Sequence, residues 1–174
     1  MTQAAEPVQT RRQMKYLSVH DLVWLNATIT GETQPFNYVA LEEAMAAQYS
    51  YGESRDVPRQ AANLLDTLVN KAPFQCGNVR TGFIATAAFL SANGYALKVG
   101  DDEAARILRA VHDRATSPWN AVGALSEPAD IGLRPGATLR ALITHLLNTR
   151  TDALRQLAPC DEAGPAGAVN AAAR

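Results

Sequence analysis

Apolar residues recur at three- and four-residue spacing along most of the chain, which predicts amphipathic helices. No stretch alternates apolar and polar residues for long, so we expect very little strand. The pattern predicts an all-α fold, a compact helical bundle. The apolar stripes are Val19, Leu22, Val23 and Leu25; Leu41, Met45 and Tyr49; Ala61, Leu64, Leu65, Leu68 and Val69; Ala104, Ile107, Leu108 and Val111; Leu139, Leu142, Ile143, Leu146 and Leu147.

One segment is apolar on nearly all sides. It begins at about Asn78 and ends at Asn93-Gly94, where the glycine can adopt the left-handed conformation that closes a helix. A helix without a polar face is typical of one that its neighbours bury. We therefore expect this helix to lie at the centre of the bundle.

Local signals place several helix ends. Ser18 with Asp21 three residues later forms a capping-box pattern, which predicts that a first helix starts there and runs to about residue 30. Pro58 suits the first turn of a third helix. Pro73 ends that helix and favours an extended backbone at Ala72.

The chain divides into three parts by composition. Its 174 residues suit one domain, which we place at residues 15–157. Residues 1–14 are polar and predict a flexible N-terminus. Residues 158–174 are rich in alanine, glycine and proline without periodicity, which predicts a disordered tail.

Charge and composition exclude several classes of function. Sixteen basic and seventeen acidic residues leave a net charge of −1, so the chain has no overall positive potential that would attract nucleic acid. The longest apolar run, Gly82 to Ala92, is too short to span a membrane, and no targeting segment is visible. Cys76 and Cys160 show neither metal-ligand spacing nor a disulfide framework. We expect a cytoplasmic protein that binds neither membrane nor nucleic acid.

The segment from Ala72 to Thr81 carries the candidate chemistry. It is a loop that enters the N-terminus of the buried helix, where unpaired N–H groups and the helix dipole favour anions. Gly77 permits close backbone approach, Asn78 can cap the helix or donate to an oxygen, and Arg80 can fork onto a phosphate. Spacing alone equally allows an ordinary turn and cap with a solvated arginine.

These residues resemble the Fic/Doc signature, His-x-Phe-x-acid-Gly-Asn-(Gly/Lys)-Arg. The matching positions are Phe74, Gly77, Asn78 and Arg80, and Thr81 continues the motif as in the death-on-curing (Doc) branch. The resemblance covers roughly residues 15–115. It implies a Fic/Doc-like bundle in which these five residues bind the phosphates of ATP or another nucleotide.

The family transfers AMP or another phosphate-containing group from a nucleotide to a protein hydroxyl, and Doc-type toxins phosphorylate their target. This sequence departs from the family pattern at three positions. Ala72 replaces the histidine that acts as general base, which predicts transfer slower by about 10²- to 10⁴-fold. Cys76 replaces the acid that holds Mg²⁺, and a thiol is a poor ligand for that ion. Val79 replaces glycine or lysine. Three changes together favour natural divergence over one engineered substitution.

Three functions remain open at this stage. The first is a degenerate family member that binds a nucleotide but transfers nothing. The second is an active transferase with an unorthodox base, for which His20, His112 and His145 are candidates that read more simply as surface or satisfied residues. The third is a non-enzymatic module that binds an antitoxin or protein target, or forms a homo-oligomer.

The loop from Gly31 to Tyr38 lies where the family has its target-docking flap. Phe36 and Tyr38 are its candidate contact residues. An ordinary connecting loop explains this stretch at least as well.

Overall fold

The computed structural model describes residues 13–49, 56–130 and 136–162. This part of the chain contains eight helices and two short strands. In chain order they are α1 (Val19–Thr30), α2 (Tyr38–Ala47), α3 (Val57–Asn70), α4 (Asn78–Ala92), β1 (Tyr95–Leu97), α5 (Asp101–His112), α6 (Pro118–Leu125), β2 (Ser126–Pro128), α7 (Leu139–Thr149) and α8 (Thr151–Glu162).

The all-α prediction is confirmed. The strands β1 and β2 form one antiparallel pair, in which Tyr95 pairs with Pro128 and Leu97 with Ser126. Within the described ranges, no helix is long and apolar enough to cross a membrane.

Helix α4 is the centre of the bundle, as its apolar pattern predicts. Thirteen of its 15 residues are buried, and it packs against α1, α3, α7 and α8. Phe83 and Phe89 are the largest fully buried side chains. A Cβ at Gly82 would lie 2.9 Å from Cγ2 of Val69, so α3 and α4 approach closely because this position has no side chain.

The predicted starts of α1 and α3 are confirmed. The Ser18 amide donates to Oδ2 of Asp21 at 2.9 Å, and the Asp21 amide donates to Oγ of Ser18 at 3.2 Å, which completes the capping box. Pro58 lies in the first turn of α3, and Asp56 caps that helix by accepting from the Arg59 amide.

The backbone at Ala72 differs from the prediction of an extended conformation. Its φ is +45°, in the left-handed region that costs a residue with a Cβ about 1 kcal/mol or more. The segment after it pairs with another loop: the Asn37 amide donates to O of Pro73, and the Gln75 amide donates to O of Pro35. This tertiary pairing fixes the turn and overrides the local preference.

The predicted tail boundary at residue 158 is also wrong. Helix α8 continues to Glu162, because Ala153 and Leu157 are fully buried and Asp161 is bonded to the start of α4. The first turn of α8 is held as well, since Oδ2 of Asp101 accepts from the Ala153 amide at 3.1 Å. Residues 1–12 and 163–174 lie outside the described residues, so the remaining predictions about both termini stay predictions.

Candidate anion site at the start of helix α4

Asn78 closes the loop that precedes α4. Its Oδ1 accepts from the Phe74 amide at 2.9 Å, and its Nδ2 donates to O of Phe74 at 2.8 Å. Both ends of the side-chain amide are therefore used within the loop, and the residue is buried. Asn78 does not cap α4, because these hydrogen bonds go to the adjacent loop backbone; its expected donation to a bound oxygen stays a prediction.

A second loop braces this one from outside. Phe36 and Phe74 form an isolated antiparallel bridge, and their rings meet edge to face with centroids 6.1 Å apart. Phe74 is 3% exposed, so its role here is packing beneath the loop.

Gly77 is required at the helix start for two independent reasons. Its φ of +81° lies in the left-handed region, and a Cβ there would lie 2.7 Å from Nδ2 of Asn26 and from Cγ2 of Thr30. The close backbone approach expected of Gly77 is real, and its neighbour is α1. Because Gly77 has no side chain that could cap α4, the first N–H groups of the helix need another acceptor.

Asn26 supports the loop from below and was missed from sequence. Its Nδ2 donates to O of Cys76 at 2.9 Å and lies 3.1 Å from Oγ1 of Thr81, and all three groups meet beside Gly77. Thr81 is fully buried and points toward α1. A polar residue directly after buried Leu25 in the α1 stripe was the available signal, because such a residue usually has an internal partner.

Asp161 supplies the missing acceptor at the helix start. Its Oδ1 accepts from the Val79 amide at 2.7 Å, and its Oδ2 accepts from Nε of Arg80 at 2.5 Å. The Asp161 side chain is 1% exposed and that of Arg80 is 19% exposed. The carboxylate of α8 thus accepts from Arg80, one of the predicted phosphate ligands, and from a backbone amide in the first turn of α4.

The Cys76 thiol is poorly suited to hold Mg²⁺. Partial burial raises its pKa, the Asp161 carboxylate raises it further, and Arg80 opposes them. The thiol therefore stays protonated at neutral pH, and a protonated soft donor does not fit a hard cation. Within residues 13–49, 56–130 and 136–162, no group of three His, Cys, Asp or Glu side chains could hold a metal ion.

Ala72, where the resemblance would put a catalytic histidine, carries only a methyl group and lies just after the end of α3. The three histidines lie on other elements. His20 is in the first turn of α1, His112 is the last residue of α5, and His145 is exposed on α7. No hydrogen bond between any of them and the 72–81 segment occurs in the described residues.

The junction of the loop and α4 therefore brings the predicted residues together in different roles. Phe74, Gly77, Asn78 and Thr81 build the loop, whereas Arg80 and the Val79 amide face the anion position. Comparison of the chain with protein-family models, with curated proteins and with solved structures found no match.

Proposed function

We propose that this chain is a degenerate Fic/Doc-like protein, nearest the Doc branch, that acts in the cytoplasm. It binds the phosphate of a nucleotide such as ATP at the start of α4 and transfers AMP or phosphate very slowly or not at all. The observation that carries the proposal is the Asp161 carboxylate, held by the Val79 amide and by Arg80.

A carboxylate and a phosphate make the same demands on a binding site. Both present anionic oxygens to backbone N–H groups at a helix N-terminus and to a guanidinium. Arg80 has five N–H donors, of which Nε serves Asp161. The donors at this position are thus already arranged around an anionic group.

A nucleotide has to displace Asp161 before its phosphate reaches these donors. If releasing the carboxylate costs about 2 kcal/mol after it regains water, the affinity falls about 30-fold. The proposed binding is therefore weak in the native chain and becomes stronger when the end of α8 moves away.

The proposed site lacks a general base for the transfer of AMP or phosphate. The methyl group of Ala72 cannot accept a proton from an attacking hydroxyl, and the Cys76 thiol has a raised pKa and is itself protonated. The proposal therefore concerns binding, with phosphate contacts that do not lead to reaction.

Calorimetric titration with ATP, with and without Mg²⁺, tests the binding. We expect weak binding by the native chain, its loss in Arg80→Ala, and no change in Arg106→Ala, whose side chain is 66% exposed on α5. An absence of heat from both the native chain and Asp161→Ala, in which the position is vacated, would contradict the proposal.

Labelled ATP tests transfer separately. The native chain, incubated with labelled ATP and cell lysate, should label no protein. The double variant Ala72→His with Cys76→Asp should restore labelling if the pocket and target site are intact. Labelling by the native chain would favour the alternative of an active transferase with an unorthodox base.

A non-enzymatic partner module is the second candidate, because three large apolar residues stand exposed near the start of α2. Phe36 is 41% exposed, Tyr38 56% and Val39 64%. This patch fits an antitoxin, a protein target or a second copy of the chain. Sedimentation of the native chain and of Val39→Lys tests self-association, and a monomeric native chain that also captures no protein would argue against this candidate.

A further inference from the structure

A groove lies between α3 and the start of α6, and none of its lining residues belongs to the 72–81 segment. Its volume is about 580 Å³, within the range of small-ligand sites. Residues on one face of α3 form one wall, and the turn into α6 forms the other. The lining side chains used below are Arg59, Ala62, Asn63, Asp66, Pro118 and Trp119.

The two charged side chains of the groove differ in how they are satisfied. They stand on one face of α3, seven residues or about 10 Å apart. Arg59 already has an anion, since its Nε lies 3.5 Å from Oδ2 of Asp56. Asp66 accepts from Nδ2 of Asn70 at 2.7 Å, and no cation lies within ion-pair distance of it in the described parts of the chain. The groove thus offers a carboxylate whose partner in the structure is a neutral amide.

Trp119 provides an aromatic wall. It is 51% exposed, and the Arg59 guanidinium stands 5.9 Å from its ring centroid, which is a cation–π contact. The electron-rich face of an indole attracts cations and stacks well on a planar guanidinium. Ala62 and Pro118 add apolar surface next to it, and exposed Asn63 adds a side-chain amide.

We infer that this groove binds a guanidinium group. The guanidinium pairs with the Asp66 carboxylate, and the alkyl chain that carries it lies along Ala62 and Trp119. A guanidinium matches a carboxylate through paired N–H donors and matches an indole by stacking, whereas an ammonium offers only a point charge. The guanidinium belongs either to a small free compound or to an arginine side chain of a protein segment, and the two sources share this chemistry.

Fluorescence of Trp119 tests the inference directly. The chain has two tryptophans, so Trp24→Phe leaves Trp119 as the only one. The probes are agmatine, a small guanidine, and the blocked tripeptide acetyl-Gly-Arg-Gly-amide, titrated at low salt. We expect a saturable change with a dissociation constant of tens of millimolar, roughly what one exposed ion pair and one exposed stacking contact provide.

The variants separate a specific site from general attraction. Asp66→Asn should weaken binding about fivefold, whereas Glu42→Gln, which removes an exposed charge from α2, should leave it unchanged. Calorimetry on Trp119→Leu should show weaker binding as well, and circular dichroism should show that each variant is folded.

Binding of both probes would support the inference and show that a small guanidine is sufficient. Binding of the tripeptide alone would support it and indicate an arginine of a protein segment as the source. No saturable change with either probe would overturn the inference. Equal binding by Asp66→Asn, or equal binding of acetyl-Gly-Glu-Gly-amide to the native groove, would also overturn it.

Discussion

Replacement of Asp161 by alanine removes the contact that joins α8 to the start of α4. The variant loses the acceptor of the Val79 amide at 2.7 Å and the ion pair with Arg80. Because Asp161 lies near the end of α8, the change tests whether the last turn of that helix belongs to the folded domain.

The cost can be worked out from burial. A hydrogen bond to a charged group contributes about 1.5–3 kcal/mol, and an anion at a helix N-terminus about 0.3–1 kcal/mol. The Val79 amide stays buried and loses its partner, whereas Arg80, at 19% exposure, can turn toward water and recover part of its solvation. We therefore expect the free energy of unfolding to fall by about 3 kcal/mol.

Urea unfolding followed by circular dichroism measures this loss. The matched control is Asp152→Ala in the same helix, whose side chain is 63% exposed and pairs with Arg155. An exposed pair of this kind contributes at most about 1 kcal/mol. If both variants lose the same small amount, or if amide exchange at Val79 is no faster in Asp161→Ala, the carboxylate does not cap α4 and our reasoning is wrong.

Three further predictions concern the same loop. Gly77→Ala should destabilise the chain by about 2–4 kcal/mol, because strain at positive φ adds to a clash with Asn26. Its control, Gly31→Ala, has a similar φ but lies in open space and should cost only about 1–2 kcal/mol in the same urea assay. Asn26→Ala should cost about 2 kcal/mol by removing the Cys76 carbonyl contact, and amide exchange in the loop should accelerate; unchanged exchange would contradict the bracing role. Cys76 should react slowly with iodoacetamide at pH 8 because its pKa is raised. Asp161→Ala should lower that pKa and speed the reaction, which mass spectrometry of the Cys76 peptide measures. An equal or slower rate in Asp161→Ala would contradict this electrostatic coupling.

Local chemistry explains which parts of the fold were predictable. The capping box at Ser18, the proline in the first turn of α3 and the all-round apolar pattern of α4 depend on residues within a few positions of each other. The place of the loop before α4 was predictable for the same reason, because Pro73 and Gly77 mark it locally, whereas the contacts of Gly77 with α1 were not.

The unpredicted features depend on contacts between distant residues. Asp161 meets Val79 across 82 positions, and no local pattern in an alanine-rich stretch with a proline shows that α8 continues that far. The turn at Ala72 follows from pairing with the Pro35 to Asn37 segment, which outweighs the preference of a residue before proline. The loop before α4 was therefore visible in the sequence, whereas the carboxylate that contacts the helix start was not.

The amide of Val79 reports most directly on whether this position accepts a phosphate. Nuclear magnetic resonance of the native chain and of Asp161→Ala during titration with ATP would follow that amide. Our account predicts a large, saturable shift of the Val79 amide in Asp161→Ala and the same shift at roughly 30-fold higher ATP concentration in the native chain. A Val79 amide that does not move in Asp161→Ala at saturating ATP would contradict it.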